Sequence, residues 1–325
     1  MNMKKIKLGK TELMVTPFGM GTLTMGFSQK NLSIEEGANV IVHAVREGIN
    51  FLDTAQYYDT YRYLRPALDL IRQDSSLEMP VICSKTLETD TTGVRAAVDE
   101  CLRDLDLDVV DIFLLHEVRG VADFEERKEA WETLIELKKA GKIRAIGIST
   151  HHVDACERMA LEKDCDVVFA LINKAGMGIR NAENPGTRAE MEAAIRKASD
   201  AGVGIFTMKA FGGGNLLEDY VPCLDYATSI PGNQAVMIGL GTTAEVDQLI
   251  SYAYGRMDAS FSPDISGRRL RVDQSDCEGC GTCKARCVSH AIYWNENGLA
   301  QIDPDKCVRC GYCAPVCPVR AIIFL

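Results

Sequence analysis

Two length scales of apolar patterning run through residues 16–255. Short runs rich in Val, Ile, Leu and Phe occur at 16–22 (TPFGMGT), 49–55 (INFLDTA), 79–86 (MPVICSKT), 109–116 (VVDIFLLH), 143–150 (IRAIGIST), 166–173 (DVVFALIN), 202–209 (GVGIFTMK) and 234–240 (QAVMIGL). Nearly continuous apolarity over so few residues predicts strands buried on both faces, as in parallel sheets. Longer stretches lie between them, with apolar positions three and four apart, the pattern of a helix with one buried face. Their ends carry helix punctuation. SIEEGANVIVHAVREG opens on Ser33 with Glu36 three residues on, and closes at Gly48. DFEERKEAWETLIELKKAG predicts a helix opening at Asp123 and stopping at Gly141, acids early and lysines late, as the helix dipole favours. A further helix is expected to open on a threonine cap in TTAEVDQLISYAYGR.

Eight strand–helix units predict an α/β fold, a (β/α)8 barrel, for which about 250 residues is usual. The competing arrangement, a doubly wound open sheet, would gain from a G-x-G-x-x-G after the first strand, which FGMGTLTMG does not supply. KIKLGKTELMV, ahead of the first strand, reads as a hairpin closing the barrel bottom. Its GKT lacks the upstream glycine and the strand–loop–helix setting of a phosphate-binding loop. Regularity ends in the polar MDASFSPDISGRRLRVDQSD. The expected organisation is a barrel over 1–257, a linker over 258–271 and a small C-terminal α+β domain over 272–325.

Composition narrows the function classes. With 46% hydrophobic and 25% charged residues, the chain has the make-up of an ordinary globular protein. A net charge of −10 argues against nucleic-acid partners. No apolar run is long enough to span a bilayer, and no signal-type run follows the basic N-terminus, so a cytoplasmic protein without a membrane span is expected. Cysteine is the anomaly: thirteen in all, eight of them between 277 and 325. Cys83, Cys101, Cys156, Cys165 and Cys223 are scattered and read as small buried hydrophobes.

CEGCGTCKARC and CVRCGYCAPVC are two copies of C-x2-C-x2-C-x3-C, each followed by an apolar stretch, AIYW and AIIFL. Three cysteines at x2 intervals let a tight loop wrap one face of an iron–sulfur cube, and small residues let backbone N–H groups approach the sulfides. The fourth cysteine completes the other copy's cluster. The predicted sets are Cys277, Cys280, Cys283 and Cys317 for one, and Cys307, Cys310, Cys313 and Cys287 for the other. Structural zinc is the alternative, but it requires neither the third x2 cysteine nor the duplication. The region 272–325 closely resembles the bacterial-type ferredoxin domain with two [4Fe-4S] clusters, which implies one-electron transfer.

Catalytic side chains of such barrels come from the C-terminal ends of different strands. Those ends supply Asp53 with Tyr57 and Tyr58 beyond it, then Lys85, then His116. The set suits carbonyl chemistry. A tyrosine, of ordinary pKa about 10, gives a proton to oxygen as hydride reaches carbon. A lysine lowers that pKa, a carboxylate holds the lysine, and a histidine orients the carbonyl. TPFGMGT, AVREGINFLDTAQYY, SKT, LDVVDIFLLH and WETLIELKKAGKIRAIGIST resemble the aldo-keto reductase family, over about 3–255. The resemblance implies a tetrad of Asp53, Tyr58, Lys85 and His116, with the family's Asp-x4-Tyr spacing selecting Tyr58. It also implies NADP(H) or NAD(H) over the barrel mouth, near Gly21, Thr22, Ser149, Thr150, Asn173, Met208, Lys209, Gly239, Gly241 and Thr242. Phe169 stands where the family usually has a glutamine, Met208 where it has a stacking aromatic, and the usual 2′-phosphate Lys and Arg are missing near IGLGTTAEVDQL. FGGGN (211–215) is open to two readings, a pyrophosphate-lining loop or a flexible one. His151-His152 reads as a helix start.

The expected function is an iron–sulfur oxidoreductase. It would interconvert a small carbonyl compound and its alcohol with a nicotinamide cofactor, Tyr58 as general acid, and pass single electrons through two [4Fe-4S] clusters to a redox partner protein. The alternative is an electron-transfer protein whose barrel is a docking scaffold; the surface near Arg268, Arg269 and Arg271 would then assist docking, although a solvated linker is the plainer reading.

Overall fold

The computed structural model describes residues 3–325 except 28, 183, 265, 266 and 268. Eight strands, β1 (Phe18–Gly21), β2 (Phe51–Asp53), β3 (Val81–Thr86), β4 (Val110–Leu115), β5 (Ile143–Thr150), β6 (Val167–Leu171), β7 (Gly204–Met208) and β8 (Asn233–Gly239), form a closed barrel. They pair in parallel in chain order, and β8 closes on β1 with Val236 opposite Phe18 and Gly239 opposite Gly21. The interior is filled from alternate positions by Phe51, Cys83, Ile112, Leu114, Val167, Phe206 and Met237, and the N-terminal hairpin (Ile6–Lys7 with Met14–Val15) adds Leu8, Leu13 and Val15 to the same cluster. A larger apolar layer lies between the strands and the outer helices. Close strand approach requires small residues at two points: a Cβ on Gly147 would come 1.8 Å from the Val167 carbonyl oxygen, and one on Gly19 2.3 Å from Met237 Sδ.

The helices are α1 (Ile34–Arg46), α2 (Tyr61–Gln73), α3 (Thr91–Leu105), α4 (Val121–Glu126), α5 (Lys128–Lys139), α6 (Val153–Met159), α7 (Arg188–Asp200), α8 (Tyr220–Ser229) and α9 (Thr243–Ala253). Ser33 and Glu36 form the expected capping box on α1, and Thr242 caps α9. The helix expected from Asp123 to Gly141 is in fact two. Gly120 precedes α4, Asp123 lies inside its first turn, and the chain breaks at Arg127. The break turns the Arg127 side chain inward, where it donates to the carbonyls of His116 at 2.8 Å and Thr86 at 3.2 Å. Two carbonyls at the barrel rim thereby outweigh helix continuity. Cys83, Cys101, Cys156, Cys165 and Cys223 are all buried. Among the described residues no helix is long and apolar enough to cross a membrane.

The C-terminal region has its own small core. It contains β9 (Leu270–Val272), the five-residue helix α10 (Thr282–Arg286), β10 (Ile292–Trp294), β11 (Ala300–Ile302) and β12 (Ile322–Phe324). β9 pairs antiparallel with β12, and β10 with β11, so the sequence duplication reappears as two small two-stranded sheets. β9 begins inside the stretch expected as linker. Arg271 donates to the Gln29 carbonyl of the barrel at 2.8 Å, and Arg269 and Leu325 exchange backbone bonds. These two arginines thus brace the chain itself; Arg268 lies outside the described residues.

This region sits on the barrel mouth. The Phe324 N–H donates to the Gly213 carbonyl at 2.9 Å, and Asn215 Nδ2 donates to the Ile322 carbonyl at 2.9 Å. The FGGGN loop is therefore clasped by β12. Gly214 has φ +87°, and a Cβ there would meet the Phe324 carbonyl oxygen at 2.2 Å. Gly214→Ala is expected to destabilise this contact by about 1–3 kcal/mol. The check is faster hydrogen exchange at the Phe324 amide together with a lower Tm.

Candidate active site and cysteine centres

Barrel closure brings the four expected catalytic residues together. Asp53 ends β2, Tyr58 ends the short 3-10 turn after it (Gln56–Tyr58), Lys85 lies in β3 and His116 follows β4. Lys85 Nζ is 2.7 Å from Asp53 Oδ1 and donates to the Thr54 carbonyl at 2.6 Å; the two side chains are 1% and 6% exposed. So buried an ion pair survives only when both partners are present, and removing one leaves an uncompensated charge costing about 3–5 kcal/mol. Tyr58 Oη is 3.1 Å from His116 Nε2, with the rings edge-to-face. Lys85 Nζ lies 4.8 Å from the centre of the Tyr58 ring.

The electrostatics differ in one respect from the expectation that a lysine lowers the tyrosine pKa. Burial instead pushes the Tyr58 phenol well above its ordinary value, and the carboxylates of Asp53, Asp273, Asp276 and Glu117 push it the same way. Burial also raises the Asp53 carboxyl, against the pull of Lys85. It drives the His116 imidazole well below its ordinary value, assisted by Lys85 and Arg127. At neutral pH the site therefore holds a protonated phenol beside a neutral imidazole, which has one nitrogen to donate and one to accept.

Two cavities meet at Tyr58. One, of about 450 Å³, is lined by Tyr58, Lys85, His116, Glu117, Arg119, Ser149, Thr150, His151 and Lys209. A further wall comes from the C-terminal region, Asp273, Gln274, Ser275 and Asp276. The other, of about 210 Å³, is lined by Gly21, Thr24, Phe211, Gly213, Gly239, Glu245 and the chain end at Phe324 and Leu325. Leu23, Tyr58, Phe169, Met208, Lys209 and Asp273 belong to both and form the partition.

The residues expected on the nucleotide side divide accordingly. Gly21, Ser149, Thr150, Met208, Lys209 and Gly239 line one or both cavities. The Ser149 and Thr150 hydroxyls also brace the loop after β4: Ser149 Oγ accepts from the Glu117 N–H at 2.8 Å, and Thr150 Oγ1 donates to the Val118 carbonyl at 2.6 Å. Thr22, Asn173, Gly241 and Thr242 line neither cavity. Thr22 Oγ1 is buried against the Asp53 carbonyl and Thr60. The Asn173 amide is used at both ends by Met177, at 2.9 Å each. At the start of α9, beside Gly241 and Thr242, the Glu245 carboxylate takes the Gly241 N–H at 2.7 Å and pairs with Lys30 at 2.9 and 3.1 Å. The chain's own anion occupies that helix N-terminus.

Sequence reasoning missed Glu117, Arg119, His151, Asp273 and Asp276 as cavity walls. His152 does precede α6 as a helix start, but its neighbour His151 faces the larger cavity. Lys209, at φ +60°, is ion-paired with Asp276 across the domain boundary. Burial opposes its charge, yet Asp276 and Asp273 hold its pKa above the ordinary lysine value.

The eight C-terminal cysteines fall around two voids. Cys277, Cys280, Cys283 and Cys317 line one; Cys287, Cys307, Cys310 and Cys313 line the other. Among the described residues no three His, Cys, Asp or Glu side chains converge on a point as a single ion would need. Four thiols ringing a void suit a multi-iron cluster. Backbone N–H groups already reach two of the sulfurs, Ala291 to Cys287 Sγ at 3.3 Å and Ala321 to Cys317 Sγ at 3.2 Å, the kind of bond that stabilises a cluster thiolate.

Comparison with known proteins agrees with both halves. Residues 270–325 match the 4Fe-4S dicluster domain. The chain is 39% identical over 84 residues to one subunit of the Na(+)-translocating ferredoxin:NAD(+) oxidoreductase complex of Acetobacterium woodii, covering 26% of this chain and 25% of that protein. It is 29% identical over 158 residues to the uncharacterized oxidoreductase YqkF of Bacillus subtilis, covering 46% and 49%. It thus spans a quarter to about half the length of these relatives. The holo form of the aldo-keto reductase AKR11C1 from Bacillus halodurans superposes with a TM-score of 0.59 at 21% identity, over 80% of this chain and 93% of that one, a likeness of fold. Residues 17–226 match the aldo/keto reductase family, and on that match the chain belongs to this family, with an iron–sulfur dicluster domain at its C-terminal end.

Proposed function

We propose that the protein is an iron–sulfur oxidoreductase that interconverts a small carbonyl compound and its alcohol, with a nicotinamide nucleotide as hydride carrier and Tyr58 as general acid. The observation that carries this reading is the Tyr58–His116 contact of 3.1 Å, beside the buried Lys85–Asp53 pair and on the partition between the two cavities. A carbonyl oxygen near Tyr58 Oη meets a proton that burial keeps on the phenol until the oxygen becomes basic. Neutral His116 orients that oxygen by hydrogen bonding. Lys85, fixed by Asp53 and the Thr54 carbonyl, supplies positive charge near the developing alkoxide at no reorganisation cost. Cys277, Cys280, Cys283 and Cys317 would hold one [4Fe-4S] cluster, and Cys287, Cys307, Cys310 and Cys313 the other. Such clusters supply one-electron transfer, which fits exchange with a redox partner protein.

A second reading has its own support. β12 clasps the FGGGN loop, and Glu245 fills the α9 N-terminus. Both features narrow the room for a nucleotide and favour an electron-transfer protein in which the barrel is a scaffold.

Anaerobic reconstitution followed by titration with NADPH and NADH separates the two. The first reading expects bleaching of the cluster absorbance or a new charge-transfer band. Clusters that accept electrons from dithionite while neither nucleotide perturbs the spectrum would favour the second. Tyr58→Phe is expected to slow carbonyl reduction by about 10²–10⁴-fold with cluster absorbance intact. The shift directions also set the pH profile. Tyr58 stays protonated past its ordinary pKa and His116 stays neutral below its own. Reductive kcat/KM in steady-state assays should therefore be level from about pH 6.5 to about pH 10, the ordinary histidine and tyrosine values, with both limbs outside that window.

A further inference from the structure

The two cysteine sites are not equivalent in their relation to the barrel. A small void lies between the catalytic cavity and the Cys277 site. It shares Glu117, Arg119, His151 and Asp276 with the catalytic cavity, and Glu278 and Val319 with the void ringed by Cys277, Cys280, Cys283 and Cys317. The covalent route is equally short. Asp276 is a wall of the catalytic cavity and ion-paired with Lys209, and the next residue is Cys277. Gly178 of the barrel approaches so closely that a Cβ there would lie 2.9 Å from Arg320 Cγ, three residues beyond Cys317. Of this set, Cys283 and Cys317 are buried.

The other site has a different setting. All residues lining the void of Cys287, Cys307, Cys310 and Cys313 lie between 270 and 313, and none of them lines a cavity at the barrel mouth. Only Cys313 of this set is buried. Val288, Val308 and Tyr312, each next to one of these cysteines, are 62%, 65% and 52% exposed.

We propose that the sites are ordered: the Cys277 site is the inner redox station, exchanging electrons with the molecule in the catalytic cavity, and the Cys307 site is the outer one, exchanging electrons with a one-electron carrier protein. This rests on reading both as iron–sulfur sites. The balance is simple. Reduction of a carbonyl to an alcohol takes two electrons and two protons. These electrons take the place of the nicotinamide hydride: two carrier molecules are each oxidised by one electron, one proton leaves Tyr58 Oη, which solvent then reprotonates, and one comes directly from solvent; oxidation of the alcohol reverses the count.

The order can be tested without turnover, by EPR-monitored potentiometric titration of the reconstituted full-length chain. Cys280→Ser and Cys310→Ser first assign the two signals to the two sites. Glu117→Gln and Arg119→Gln then change the charge at the wall facing only the inner site. Loss of the Glu117 negative charge should raise the midpoint potential of the signal assigned by Cys280→Ser, and loss of the Arg119 positive charge should lower it. The signal assigned by Cys310→Ser should move several times less. A merely structural effect would not reverse sign between the two variants. Equal movement of both signals, movement chiefly of the Cys310 signal, or no movement in either variant overturns the order. If one variant fails to fold, the sign and selectivity of the other decide. A wild-type chain that takes up no iron fails the iron–sulfur reading itself, and is recognised by the absence of any signal.

Discussion

Closure of the parallel barrel is the constraint on which everything else depends. Once β8 pairs with β1, every strand ends at the same rim, and residues far apart in the chain are forced into one layer. Asp53, Lys85 and His116 leave three successive strands there, and Lys209 leaves the seventh. The closure is sterically exacting. Gly19 and Gly147 stand where neighbouring strands leave no room for a β-carbon. Without a closed barrel the Lys85–Asp53 pair would have no dry, rigid wall to hold it, and each charge would have to be hydrated.

The same rim supports the C-terminal region, and this makes the candidate site composite. One wall of the larger cavity beside Tyr58 is the loop 273–276, which runs directly into Cys277. The contact is polar and specific: the Lys209–Asp276 pair, the Arg271 bond to Gln29, and the backbone clasp between β12 and the Gly-rich loop. Carboxylates on this loop contribute to keeping the Tyr58 phenol protonated. Protonation of the tyrosine is thus biased by residues of the C-terminal region as well as by the barrel.

Much of the fold is legible in the residues, because its determinants are local. Strand identity follows from runs of Val, Ile and Leu, α1 from the Ser33–Glu36 capping box, and the two thiol rings from cysteine spacing. The tetrad is legible too, since the end of a predicted strand is a predicted position on the rim. Reading failed where a distant partner decided the local outcome. The helix after Asp123 breaks at Arg127, whose side chain serves two rim carbonyls, those of His116 and Thr86. FGGGN leaves two readings open in the sequence, a pyrophosphate-lining loop or a flexible one, and its contact with β12 comes from a distant segment of the chain, with Asn215 and Ile322 107 residues apart.

The sequence by itself determined the barrel and the dicluster module and named candidate residues for the chemistry, because periodicity, caps and ligand spacing act over a few residues. Only the tertiary structure decided how the two halves join. Asp276 meets Lys209 across 67 residues of sequence, Glu245 meets Lys30 across 215, and the Tyr58 phenol feels the carboxylates of Asp273, Asp276 and Glu117, which no local pattern links to it. Electrostatics and desolvation act through space, so their outcome waits on the folded arrangement.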